Sequence, residues 1–167
     1  MAGTGTDAIR VAMIYKPGKL TLSGSATSDT ASIHNRPPLL ARFAEEWTSH
    51  GRTLLASAEF LHRQFLVIGL DESVAGASGC SIDASVRFVR ELETRLGVEL
   101  LEKSRLAFLN DGEVWLLENR NLRAAVADGR VTATTFYFDN ALQTKAELDE
   151  KWPAPAGQTW LARYFPG

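Results

Sequence analysis

The sequence predicts an α+β protein: a single domain with a mixed or mostly antiparallel sheet and about three to four helices. Three observations lead there. Phe65-Leu66-Val67-Ile68-Gly69-Leu70 is a continuous apolar run rich in β-formers and too short for a typical helix, so it reads as a central strand buried on both faces. From Ile82 onward apolar residues recur at Val86, Val89, Leu92 and Leu96, the spacing of an amphipathic helix, with Ser81 or Asp83 as N-cap and Gly97 just past the end. The remaining β-rich runs are joined by hairpin turns rather than by helical crossovers, which argues against a doubly wound parallel fold.

Taken in order, Met1 to Asp7 is small and polar and reads as a loose arm. Ile9 to Tyr15 is a strand candidate, followed by a Lys16-Pro-Gly-Lys19 turn and a second short strand over Leu20 to Leu22. Ser23 to Asn35 lacks hydrophobic periodicity and reads as a mobile loop. After Pro37-Pro38, with Asn35 or Arg36 before them, Leu39, Leu40, Phe43 and Trp47 share a face of a helix expected to end at Gly51. Leu54 to Leu61 alternates and turns through His62-Arg63-Gln64 into the central strand. Arg105 to Leu109 and Glu113 to Leu117 flank Asn110-Asp111-Gly112, a strong hairpin signal.

Further on, Asn119 or Asn121 caps a short helix over Leu122, Ala125 and Val126, stopped by Asp128-Gly129. Val131 to Phe138 reads as a strand, or as an irregular segment entering one. Thr144-Lys-Ala-Glu147 has the capping-box pattern of a last helix that ends at Trp152, before Pro153. Pro153, Pro155 and Gly157 make a rigid loop, and Trp160, Leu161, Tyr164 and Phe165 are expected to pin the chain end to the core; the aromatics Trp152, Trp160, Tyr164 and Phe165 alternatively form a binding surface.

Composition bounds the class of protein. The 167 residues suit one domain, which can bury roughly 70% of the surface its unfolded chain exposes. With 45% hydrophobic and 23% charged residues the chain is an ordinary globular one, and a formal charge of −2 removes the usual electrostatic argument for nucleic acid. A single cysteine allows no intrachain disulfide and fits a reducing cytoplasm. No signal-peptide pattern opens the chain and no apolar run approaches the roughly 20 residues of a membrane span, so a soluble cytoplasmic protein is expected.

The chemistry-bearing residues collect around two helix starts. Asp71 and Glu72 end the central strand, and Ser73 to Ser81 is a small, donor-rich loop that leads Ser78, Gly79, Cys80 and Ser81 to a helix N-terminus, where free N–H groups and the helix dipole favour anions and thiolates. Cys80 is a candidate nucleophile with His34, His50 or His62 as base; equally, a lone cysteine serves as a small hydrophobe. Asp71 and Glu72 with Asp83 or Asp139 offer oxygen ligands for a divalent cation, or act as solvated and capping carboxylates. The three histidines lack metal-ligand spacing. Asn140, Gln143, Thr144 and Lys145 offer donors and a cation at the last helix start, either for a ligand anion or for the cap itself.

Two resemblances cover different parts of the chain. Trp47-Thr-Ser-His-Gly51, Ala77-Ser-Gly-Cys-Ser-Ile-Asp-Ala-Ser-Val86, Asp139-Asn140 with Gln143-Thr-Lys145, and Trp160-Leu-Ala-Arg163 make residues 43–165 resemble a family of uncharacterised small bacterial proteins often labelled "ABC transporter ATPase". The label implies a Walker A loop, yet Gly76 to Ser81 has no lysine and no second glycine at the required spacing. Gly5-Thr-Asp-Ala-Ile-Arg-Val, Ile14-Tyr-Lys-Pro-Gly-Lys19 and Ile33-His-Asn-Arg-Pro-Pro-Leu39 resemble an internal stretch of secreted nucleases of the endonuclease/exonuclease/phosphatase superfamily, without that family's catalytic set. The two meet near Leu39 to Phe43, as a natural fusion, a recombined sequence or a designed chain would.

Together these readings describe a small binding or interaction module for an anionic ligand or a protein partner, with no cofactor. Its expected site combines Asp71, Glu72, Ser78, Gly79, Cys80, Ser81 and Asp83 with Asn140, Gln143, Thr144 and Lys145. The rival of a different class is an enzyme, either a Cys80 thiol enzyme or a metal-dependent phosphoesterase.

Overall fold

Every residue of Phe65–Leu70 is buried, and the strand they form, β5 (Phe65–Asp71), holds the centre of the first sheet as its apolar run requires. The structure is a computed structural model and describes residues 9–15, 38–62, 64–72 and 75–165. The expectations for residues 1–7, Leu20 to Leu22 and residues 23–35 lie outside the described residues. β5 is flanked antiparallel by β1 (Ile9–Tyr15), in register from Ile9 opposite Asp71 to Tyr15 opposite Phe65, and by β4 (Leu55–Leu61), whose Leu61 faces Phe65. A strand that precedes the first helix thus shares a sheet with two strands that follow it.

Helix α1 (Pro38–Glu46) buries Leu40 fully and Leu39 and Phe43 partly, the face its spacing predicts. It ends five residues before Gly51, a correction to the sequence reading. His50 and Gly51 both adopt left-handed backbone, at φ 50° and 77°, and make the two-residue turn of a ribbon, β2 (Thr48–Ser49) against β3 (Arg52–Thr53). Glycine there serves a hairpin, not a helix end. Trp47 belongs to neither element; its indole N–H donates to the Ser81 carbonyl at 2.8 Å.

Helix α2 (Gly79–Leu96) also differs at its start. Ser78, not Ser81 or Asp83, is the N-cap: its hydroxyl accepts from the Ser81 N–H, while the Ser81 hydroxyl accepts from the Ser78 N–H. Serine closes this capping box in the place where Glu or Gln is usual, which hid the true start from the sequence. The other end is as expected. Gly97 is left-handed, its N–H donates to the Glu93 carbonyl, and the Glu93 carboxylate accepts from the Leu100 and Leu101 N–H groups beyond.

The second sheet runs β7-β6-β8-β9, so the expected antiparallel strands are divided between two sheets and the small ribbon. β6 (Arg105–Asn110) and β7 (Glu113–Glu118) pair in full through Asp111 and Gly112, at φ 50° and 80°. A 3-10 turn, Asn119–Asn121, opens α3 (Leu122–Ala127). Of residues 131–138 only β8 (Phe136–Tyr137) pairs, because Thr132 and Thr135 close a turn on themselves through the Thr135 hydroxyl. Then come α4 (Lys145–Lys151), β9 (Ala154–Pro155) and two 3-10 turns, Ala156–Gln158 and Trp160–Tyr164. Leu161 is fully buried and pins the chain end, with Tyr164 and Phe165 packed beside it; Trp160 stays exposed.

Alternation along β5 assigns its two faces to different cores. Leu66, Ile68 and Leu70 pack with Leu40, Trp47, Val89 and Leu92 from the α1–α2 side. Phe65 and Val67 pack with Ala107, Phe138 and Trp152, and through them join the two sheets. His62, at the β4–β5 turn, lays its ring against Phe138 at 5.0 Å and Trp152 at 5.7 Å. Desolvation holds its pKa below the ordinary value of 6.5. Folded protein therefore binds the proton less readily than unfolded chain, so stability is full above pH 6.5 and falls as the pH drops from there through the lowered folded-state pKa. His62→Gln is expected to shrink the loss of urea resistance between pH 7 and pH 5, measured against wild type in the same buffers.

Candidate functional site

At the start of α2 half of the four donors are already used. Of the first-turn N–H groups, those of Ser78 and Ser81 bond each other's hydroxyls, and Ser81 is buried at 1% exposure, its hydroxyl donating in turn to the Ser78 carbonyl. The amides of Gly79 and Cys80 have no partner among the described residues, and both residues are exposed. A Cβ on Gly79 would meet nothing within 4 Å. The turn thus presents two open amides and a solvent-exposed thiol, Cys80, with Asp83 exposed one residue past Ile82.

The other residues expected in the site belong to or adjoin other elements. Asp71 and Glu72 are half-buried at the end of β5. The 140–145 segment through Leu142, and α4 behind it through Leu148, pack against the cluster that holds Phe65 and Val67, on the face of β5 opposite the one that receives α2. Its donors also have internal partners: the Glu147 carboxylate accepts from the N–H groups of Gln143 and Thr144, and Lys145 pairs with Asp149. Those two backbone bonds hold the Glu147 carboxyl below the usual carboxylate range. The negative charge at this helix start is thus one of the chain's own. Asn140 keeps its side-chain oxygen buried without a partner among the described residues, and Asp139 accepts from the Ala141 N–H in a local turn.

A different place gathers unused cationic donors. Between α3 and the terminal Trp160–Tyr164 turn lies a cavity of ≈ 690 Å³ lined by Arg123, Val126, Ala127, Arg163 and Tyr164. The Arg163 guanidinium carbon stands 5.0 Å from the Trp160 ring centre and 5.3 Å from that of Tyr164, and Arg123 lies 5.9 Å from the same tyrosine ring. The platform is anchored: the Trp160 indole N–H donates to the hydroxyl of buried Tyr137 at 3.2 Å. Neither arginine is ion-paired among the described residues. In the same stretch of sequence stand Arg120 and Arg130, the latter 3.9 Å from the carboxylate of Asp128.

The chain matches no protein-family model, no curated protein and no solved structure. Function therefore rests on the chemistry of its own residues. Sequence reasoning weighed Trp160 and Tyr164 as core or surface but passed over the arginines. The signal was there in Arg163 between two aromatics and in three arginines over residues 120–130, diluted by a chain whose overall charge is slightly negative. A second cavity, ≈ 760 Å³, is lined by both signs of charge, Glu113 and Arg130, with Trp115 and Phe136. Among the described residues no three His, Cys, Asp or Glu side chains converge as a metal site would need, and no helix is long and apolar enough to cross a membrane.

Proposed function

We propose that the protein is a binding module for an anionic small molecule, seated in the cavity between α3 and the terminal turn. The observation that carries this reading is the pair of guanidinium groups, Arg123 and Arg163, at one tyrosine ring and without a carboxylate partner among the described residues. Stacking on an aromatic face leaves the in-plane N–H donors of an arginine available, and a ligand anion is what such donors complement. The start of α2 is the second candidate seat, favoured by the two open amides of Gly79 and Cys80. A thiol enzyme at Cys80, or a metal-dependent phosphoesterase, is the reading of another class.

Titration of the full chain with inorganic phosphate, followed by calorimetry, tests the proposal. Arg123→Ala and Arg163→Ala are each expected to weaken binding about tenfold, the worth of one charge-assisted hydrogen-bonding group. Gly79→Pro is the matched control for α2. Proline suits the first helical position, Ser78 is already extended at φ −111° and ψ 164° as a residue before proline prefers, and the change removes one open amide. It is expected to leave phosphate binding unchanged and to stabilise the fold by about 0.4–1 kcal/mol through the unfolded state. Loss of binding in Gly79→Pro alone would move the seat to α2. No saturable binding would end the anion reading, and an activity lost in Cys80→Ser would favour the enzyme.

A further inference from the structure

Resting on that reading, we infer that the cavity beside Arg123, Arg163 and Tyr164 selects a phosphate monoester attached to a small organic body. Charge decides the headgroup. Two guanidiniums supply two positive charges and two donor edges, each able to hold a pair of oxygens in parallel. A phosphate monoester carries about −1.5 to −2 at pH 7 and three acceptor oxygens, so it can engage both edges and balance both charges. A carboxylate, with one charge and two oxygens, satisfies one edge and leaves the other guanidinium uncompensated. A sulfate ester has the oxygens but only one charge.

Size and lining decide the rest. At ≈ 690 Å³ the cavity falls within the roughly 300–1,000 Å³ range of small-molecule sites and has room well beyond a bare inorganic anion. Val126, Ala127 and the Tyr164 ring supply an apolar wall beside the two cations, which an organic body would cover and inorganic phosphate would not. Among the described residues no carboxylate lines the cavity to repel a dianion. Both arginines are exposed, so their replacement leaves the core intact.

Phenyl phosphate, phenyl sulfate, benzoate and inorganic phosphate, titrated into the full chain, share either the body or the headgroup and so separate the two contributions. Phenyl phosphate is expected to bind at least about tenfold more tightly than each of the others. Its affinity should rise from pH 5 to pH 7.5 as the ester loses its second proton near pH 6, since guanidinium groups do not titrate there. Arg123→Lys and Arg163→Lys, which keep the charge but lose the planar fork, are each expected to weaken it about tenfold with unchanged melting temperature. Vesicles containing phosphatidic acid, run beside glycerol 3-phosphate, tell whether the monoester is carried on a lipid or free; binding of either one supports the inference. Benzoate or phenyl sulfate binding as tightly as phenyl phosphate, or an affinity flat across that pH range, overturns it while leaving the anion-binding reading standing. If none of the anions saturates, that underlying reading fails as well.

Discussion

Phe138→Ala is expected to lower the free energy of unfolding by about 3–5 kcal/mol, the usual cost of deleting a buried phenyl ring. Phe138 is 1% exposed, and its ring centre lies 4.6 Å from that of Phe65, 4.8 Å from Trp152 and 5.0 Å from His62. Its backbone N–H donates to the carbonyl of Ala107 on β6. The side chain therefore touches the central strand of the first sheet while the backbone N–H bonds to β6 of the second. At roughly 2–4 °C per kcal/mol for a chain of this size, the melting temperature should fall by about 6–20 °C. Phe136→Ala, two residues away at a ring 46% exposed, is the control and should cost far less. Two separate thermal transitions in Phe138→Ala, where wild type shows one, would identify this cluster as what makes the sheets unfold together. A loss below about 1 kcal/mol would contradict the packing described.

Phe136 and Phe138 also show where sequence reading stops. Spaced by two, they belong on one face of any strand, yet one is exposed and the other is deep in the core, because the strand ends at Tyr137 and the chain turns inward. Local pattern identified the elements whose cause is local: the two-sided apolar run of β5, the Asn110-Asp111-Gly112 turn, the Thr144–Glu147 capping box and the left-handed Gly97. It misplaced element ends whose local signal reads two ways. The end of α1 is set by a hairpin that follows it, and the start of α2 by a serine pair equally readable as two caps. For the candidate site the limit was larger. Alternation along β5 sends α2 and the 140–145 segment to opposite faces, a consequence of pairing that neither segment records. Arg123 and Arg163 lie 40 residues apart and meet only because the second sheet brings α3 and the terminal turn together.

Trp47→Ala is expected to cost about 3–5 kcal/mol, and here two contributions can be separated. The indole is 8% exposed, its ring lies 5.3 Å from Phe43, which stacks on Phe88 of α2 at 4.0 Å, and its N–H reaches the Ser81 carbonyl. Trp47→Phe keeps an aromatic ring in the stack and removes only the donor. Since the Ser81 carbonyl has a second lone pair for the helix, the loss should be near the net worth of one hydrogen bond, about 0.5–1.5 kcal/mol. The local consequence is more telling than the global one. Ser81 closes the capping box of α2, so releasing its carbonyl should quicken hydrogen exchange at Ser81 and Ile82 in Trp47→Phe while the helix end at Glu93 and Gly97 stays protected. Uniform acceleration along α2 would mean that the tryptophan supports the whole helix by packing. Unchanged exchange at Ser81 would mean that the serine pair holds the turn unaided, and the indole bond to it would then be a consequence of the fold rather than one of its supports.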